Sequence, residues 1–171
     1  MKRPIFIVIL KVIVSSLFCA IFASGSDQAA VRVEPTNSVG PRTLEKQTEA
    51  AVIRDYLQAW RGLCAALEQN RLDLLDPDFV GIAKEKSADT IREQINLGIR
   101  TRYRDTGHDL QLVFYSPEGM SIQLVDRVEY DVEILDHEKV QATQHVRTRY
   151  VAVLTPTEVR WKVRVFQAEP E

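Results

Sequence analysis

The final third of the chain alternates apolar and polar residues with few exceptions. In its last segment, Val159, Trp161, Val163 and Val165 share one face, and the positions between them are charged. A period of two residues places one face of a β-strand in a core and the other in water. Residues 108–166 contain four such stretches separated by turns, so the pattern predicts four long antiparallel strands. Strands of this length must twist and bend, which predicts a strongly curved sheet with bulges.

Upstream of the strands, apolar residues recur at the spacing of an α-helix. Ile53, Leu57, Trp60, Cys64 and Leu67 follow one another at intervals of four or three residues. This spacing makes a single apolar stripe along one helix. The stripe is predicted to cover the buried face of the sheet.

Two shorter helices are predicted between this helix and the strands. One spans residues 71–75 and ends where a proline follows. The other has Ser87 as its N-cap and carries Ile91, Ile95 and Ile99 on one face. Together the elements predict an α+β fold, in which three N-terminal helices pack on the concave face of a strongly curved antiparallel sheet of about four long strands.

The first 25 residues have the composition of a targeting segment. Lys2 and Arg3 precede an apolar run that ends in small residues. Lys11 interrupts the run and leaves two alternatives, a signal peptide that is cleaved on export or an uncleaved membrane anchor. Residues 26–42 contain two prolines and a glycine and are predicted to form a flexible linker. The folded domain is then predicted at 43–171, in an exported protein that is periplasmic or secreted.

The charge and the cysteine content of this domain limit the kinds of partner and the covalent cross-links that it can have. Removal of residues 1–25 takes away three basic residues and no acidic ones, which changes the formal net charge from −2 to −5. An acidic domain has no general attraction for nucleic acid or for an anionic membrane. Membrane contact is therefore predicted only through an uncleaved N-terminal segment. Cys64 would be the only thiol, so no internal disulfide is predicted, and its place in the apolar stripe indicates a core residue.

Short motifs accompany this order of elements. They are Tyr56, Leu57, Ala59 and Trp60 in the first helix, the stretch LLDPDFVG at 74–81, Ser87 at the third helix, and Trp161, Lys162 and Val163 in the last strand. In these features the chain resembles the NTF2-like superfamily of cone-shaped, cystatin-like α+β rolls, which includes SnoaL-like and ketosteroid-isomerase-like proteins. The resemblance covers residues 43–168. It implies a cavity between helices and sheet and a homodimer formed through the sheet, but no single activity.

Asp126 is the one charged residue on the otherwise apolar face of the second predicted strand. One interpretation is a cavity carboxylate that serves as a general acid or base, or that holds a ligand. The other is a bulge that turns the side chain to solvent, because a bent strand of this length needs such a break.

The resemblance implies further candidates. Isomerase members use a tyrosine of the first helix and carboxylates across the cavity, and the residues of these types here are Tyr56, Asp78 and Asp126. Dehydratase members rely on histidine and aspartate. Alternation places His108 on the apolar face, where it pairs with Asp126 if the first two strands are antiparallel neighbours; otherwise it is a strand-edge histidine bonded to the backbone. The catalytic candidates are therefore Asp126, His108 and Tyr56.

Six aromatic residues are predicted to point inward, either as the lining of a pocket or as plain core. They are Tyr56, Trp60, Phe79, Tyr130, Tyr150 and Trp161. The three histidines lack the spacing of metal ligands, and the sequence has no phosphate-binding glycine loop. No metal and no cofactor are predicted.

Three functions remain open at this point. The first is non-catalytic binding of a small apolar ligand or a protein partner. The second is an isomerase, dehydratase or cyclase that uses Asp126 as its acid or base. The third is an envelope or secretion-system assembly module held by an uncleaved N-terminal helix.

Overall fold

The computed structural model describes residues 29–35, 40 and 42–169. Its elements are β1 (Ala30–Val33), α1 (Lys46–Gln69), a 3-10 helix (Leu72–Leu75), α2 (Gly81–Leu97), β2 (Ile99–Tyr115), β3 (Ile122–Asp136), β4 (Lys139–Pro156) and β5 (Trp161–Glu169). Residues 1–25 lie outside the described residues, so cleavage, anchoring and export stay predictions. Within the part of the chain that is described, no helix is long and apolar enough to cross a membrane.

The strands form one five-stranded mixed sheet in the order β1-β2-β3-β4-β5. β1 is parallel to β2, and the other neighbours are antiparallel. This corrects the prediction of a purely antiparallel sheet of four strands. The additional strand lies within the predicted linker, where the Glu34 N–H donates to the Leu110 carbonyl at 2.8 Å. Backbone pairing at a sheet edge needs no side-chain alternation, so the sequence pattern gave no sign of it.

The three central strands are long, with 17, 15 and 18 residues in β2, β3 and β4. The predicted bulges are present in each of the three antiparallel ladders, and the one that matters most below separates Asp105 from Gly107 in β2. β5 pairs with residues 149–156 of β4. Among the described residues, positions 139–148 of β4 therefore pair on the β3 side alone.

The described residues form two α-helices and one 3-10 helix, so the second of the three predicted helices is a 3-10 helix. α2 begins at Gly81, so Ser87 lies inside the helix and is not its N-cap. α2 ends where Gly98 adopts a φ of 67° and its N–H bonds the carbonyls of Gln94 and Ile95. Ile99 consequently begins β2, and Ile95 is 48% exposed instead of buried.

The core lies between α1 and the concave face of the sheet. The fully buried positions of α1 include Val52, Tyr56 and Ala59, while Ile53 and Leu57 are only partly buried. The buried face of α1 is thus centred about one position earlier than the predicted stripe. Across from it the sheet contributes Leu110, Leu112, Ile122, Leu124, Ala152, Leu154 and Val163. Val159, predicted to be buried, is 83% exposed because β5 begins only at Trp161.

Candidate functional site

The three catalytic candidates meet beneath α1. The hydroxyl of Tyr56 donates to Asp126 Oδ2 at 2.8 Å, and His108 Nδ1 lies 2.7 Å from the same oxygen. The sheet register explains the meeting, since Leu110 pairs with Asp126 and His108 with Val128, which makes His108 and Asp126 diagonal neighbours on one face. The antiparallel pairing on which the interaction between His108 and Asp126 depended is therefore present.

The alternative interpretation of Asp126, as a residue turned to solvent by a bulge, is wrong. Its side chain is 0% exposed. The ladders on both sides of β3 run without a register shift at this position. A buried carboxylate requires hydrogen-bond donors, and Tyr56 and His108 both supply them to Oδ2, while Oδ1 has no partner among the described residues.

A fourth polar residue, Asp105, joins the site from the bulge of β2. Simple alternation would place Asp105 and His108 on opposite faces. The bulge before Gly107 lets Asp105 pair with Tyr130 and share the inner face. Trp60 Nε1 donates to Asp105 Oδ2 at 2.8 Å, and the same oxygen lies 3.9 Å from His108 Nε2. Sequence reasoning missed Asp105, although the Thr106-Gly107 step was a signal that the alternation breaks there.

The His108 ring is therefore held between two carboxylates. Burial alone lowers the pKa of His108, but the carboxylates of Asp105 and Asp126 outweigh burial and raise the pKa to about 9. Asp105 contributes to the raised pKa across a distance of 3.9 Å between its Oδ2 and His108 Nε2. Burial and the Asp126 charge raise the pKa of Tyr56, so its hydroxyl remains a neutral donor. At neutral pH the site contains an imidazolium ion.

A cleft of about 610 Å³ opens onto this group between α1, β1 and the bulged part of β2. Trp60 and Tyr103 form an aromatic wall, and their rings meet edge to face with centroids 6.3 Å apart. His108 and Asp105 lie at the cleft, whereas Tyr56 and Asp126 are not among the lining residues. The full lining is Ala29, Val31, Leu57, Trp60, Arg61, Tyr103, Arg104, Asp105, Thr106, His108 and Asp131.

Of the six predicted pocket residues, Trp60 lines this cleft and the other five pack elsewhere. Tyr56 and Phe79 are fully buried in the main core, against which Trp161 is partly buried. Tyr130 and Tyr150 pack with Trp60 in a second cluster. The Tyr150 ring also stacks on Phe166 at 4.5 Å between centroids. Aromatic side chains thus fill much of the space under α1, and the open volume lies beside this helix.

Two further polar residues of the sequence analysis have structural roles. Asp78 is buried, and its Oδ1 accepts a hydrogen bond from Arg160 Nη1 at 2.8 Å. Among the described residues, Asp78 has no hydrogen bond or salt bridge with Tyr56, His108 or Asp126. Burial raises the pKa of the Cys64 thiol, as expected for an unreactive core residue. Among the described residues, no group of three or more His, Cys, Asp and Glu side chains could hold a metal ion.

The fold of the chain matches known structures. The intermembrane-space region of the chloroplast protein ARC6 superimposes with a TM-score of 0.60 at 15% identity, covering 76% of this chain and all of that one (100%). A proposed scytalone dehydratase from Novosphingobium aromaticivorans gives a TM-score of 0.53 at 13% identity, covering 74% of this chain and 89% of that one. A proposed aromatic ring hydroxylase from the same organism gives a TM-score of 0.53 at 12% identity, covering 74% of this chain and 91% of that one.

The protein has the NTF2-like fold. This confirms the resemblance that the sequence motifs indicated. No family model matches the sequence, and no curated protein matches it. At these low identities the structural neighbours establish the fold of this NTF2-like domain and leave its function to be argued from the site.

Proposed function

We propose that this NTF2-like domain binds a small molecule with an apolar ring in the cleft beside α1, and that it does so without catalysis. The observation that carries the proposal is the cleft itself, which combines an aromatic wall of Trp60 and Tyr103 with one buried imidazolium, His108. Its volume of about 610 Å³ lies within the range of small-molecule sites. A few polar groups in a largely preformed pocket fix the orientation of a ligand.

The state of His108 disfavours a role as a general base. A pKa of about 9 keeps the ring protonated at neutral pH, so it has no free lone pair with which to accept a proton. Its Nδ1–H is taken by Asp126 at 2.7 Å, whereas Nε2 lies 3.9 Å from Asp105, beyond hydrogen-bond distance, and is the donor left for a ligand. Asp126 itself is fully buried and bonded to Tyr56 and His108, which leaves it badly placed to act on a ligand in the cleft. In this arrangement His108 is a fixed polar anchor.

Obstruction of the cleft tests the proposal. Val31 lines the cleft and is 46% exposed, so Val31→Trp places an indole in the opening without disturbing the core. With 2-naphthol as the probe, we expect binding to weaken by about tenfold or more. The measurement is NMR titration of the Trp60 indole N–H, with the Trp161 indole as internal reference because Trp161 is outside the cleft.

Val140→Trp is the matched control, since Val140 is 42% exposed on β4 and does not line the cleft. This variant should bind 2-naphthol as the unsubstituted protein does. If Val31→Trp and Val140→Trp bind the probe equally well, the cleft is not the binding site. If the Trp60 signal does not respond to the probe in any of the proteins, the aromatic wall is not a binding surface for such rings.

An acid–base enzyme is the second candidate, and the 2.7 Å contact between His108 and Asp126 is the observation that favours it. In such an enzyme the aspartate would orient the ring and His108 would be the proton donor, rather than Asp126 as the sequence indicated. One structural neighbour is a proposed scytalone dehydratase, so scytalone is a rational trial substrate.

The second candidate predicts that the protein dehydrates scytalone, which is measured by the change in absorbance, and that His108→Gln loses this activity. Our first proposal predicts no rate above that of buffer for either protein. Turnover that depends on His108 would replace the binding proposal. The assembly-module alternative and the export of the domain both depend on residues 1–25, which lie outside the described residues, and they remain proposals made from the sequence.

A further inference from the structure

A second concave surface lies between α1 and the residues that lead into β5. It has a volume of about 400 Å³ and is lined by Arg54, Asp55, Gln58, Arg61, Val159 and Arg160. Three of these six side chains are guanidinium groups. We propose that this arginine groove is a separate binding site for a compact multivalent oxyanion, a phosphate ester or a polycarboxylate. It shares Arg61 with the cleft but does not depend on the function proposed for the cleft.

Helix geometry and one backbone contact bring the arginines together. Arg54 and Arg61 are seven residues apart on α1, which places them on the same side of the helix two turns apart. Asp55 Oδ2 accepts the backbone N–H of Trp161 at 2.9 Å and so fixes the start of β5 against α1. Arg160 immediately precedes Trp161 and is thereby held opposite the two helical arginines. The groove is consequently a feature of the rigid packing of α1 on β5.

The carboxylates of the groove are already committed to structural bonds. Asp55 Oδ1 accepts from Arg54 Nε at 3.0 Å, while its other oxygen holds Trp161. Arg160 Nη1 donates to Asp78, which is itself buried. Arg61 donates to the neutral amide oxygen of Gln58 at 3.1 Å.

The groove therefore has an excess of both positive charge and donors. Its three guanidinium groups are paired with two carboxylates, Asp55 of the lining and buried Asp78, and each guanidinium has five N–H donors, of which these contacts use one or two. This local excess of positive charge contrasts with the formal net charge of −2 of the whole chain. A local positive potential attracts small anions.

The shape of the groove limits what the ligand can be. A volume of about 400 Å³ suits a molecule of metabolite size. The planar fork of a guanidinium matches phosphate and carboxylate oxygens in pairs, so more than one charged group on the ligand can be held at once. Val159, which is 83% exposed at the edge of the groove, offers an apolar contact to the carbon skeleton of such a ligand.

Titration of the full chain with pyrophosphate and with citrate, at constant ionic strength, tests the inference. We expect saturable shifts of the Trp161 backbone amide with at least one probe, and the preferred probe tells a phosphate ligand from a polycarboxylate. Arg54→Gln should weaken binding by about tenfold, the effect of one lost charge-assisted contact. Gln58→Glu, which adds a carboxylate beside Arg61 and removes no salt bridge, should weaken it similarly.

Arg92→Gln is the matched control, because Arg92 is an exposed arginine of α2 paired with Asp89 and lies outside the groove. It should leave the affinity unchanged. Shifts that do not saturate, or that are the same in Arg54→Gln, Arg92→Gln and the unsubstituted chain, would overturn the inference. Neither Arg54 nor Gln58 lines the cleft, so 2-naphthol binding in these variants reports separately on the function proposed above.

Discussion

Replacement of Asp126 by alanine is expected to lower the free energy of unfolding by about 3 kcal/mol, because a buried charged partner is removed. Asp126 Oδ2 accepts from the Tyr56 hydroxyl and lies against His108 Nδ1. Without it, the buried Tyr56 hydroxyl and the His108 Nδ1–H lose the acceptor that they share. Urea denaturation followed by circular dichroism measures the loss.

Two comparisons make this result specific to the buried network. Asp126→Asn keeps the volume and one acceptor oxygen, so its loss of stability should lie between that of alanine and zero. Asp73→Ala removes an exposed carboxylate that is paired with Arg71 at the surface, and should have little effect. If Asp126→Ala unfolds at the same urea concentration as Asp73→Ala, the network does not stabilise the fold.

The stability of the domain is expected to fall as the pH rises from neutral to mildly alkaline values. The folded-state pKa of His108 is raised to about 9, above the unfolded value of about 6.5. A raised pKa contributes stability that is fully present below the unfolded pKa and is lost as the pH rises through the folded one. After allowance for screening by solvent at the cleft, the loss between about pH 6.5 and 9 should be about 2 kcal/mol.

Urea denaturation at a series of pH values checks this expectation. In His108→Gln the decline over this interval should largely disappear. His145 provides the matched control, since its pKa is also raised by a hydrogen bond with Asp131, but at an exposed site. His145→Gln should therefore retain most of the decline. A decline that is equally steep in His108→Gln would show that other groups cause it.

The sequence named the three candidates but left open whether they meet. Alternation put His108 and Asp126 on the apolar faces of two strands, which meet if the strands are antiparallel neighbours, whereas Tyr56 was named only through the resemblance. These periods are properties of the local backbone, so they can be recognised without coordinates. The NTF2-like fold followed from the order of such elements.

The parts that failed depend on interruptions of a pattern or on tertiary packing. Asp105 reaches the site because one extra residue in β2 moves its side chain to the inner face of the sheet. The position of such a bulge cannot be recognised from the hydrophobic pattern of the sequence. β1 is too short for a period to be recognised. The rotation of α1 about its axis decides which of its side chains are buried in the core and which line the cleft. Tyr56 and Leu57 are consecutive residues, yet Tyr56 is buried and Leu57 is only partly buried.

Because β5 is shorter than β4, part of the outer edge of β4 is open to pairing with another strand. Along positions 139–148 the outward N–H and C=O groups of β4 have no partner strand among the described residues, and such an edge can add a strand from a neighbouring molecule. Arg147 and His145 lie on this stretch, tied to Glu129 and Asp131 of β3. Charged side chains on an edge disfavour aggregation, so salt that screens them should promote self-association through this hairpin.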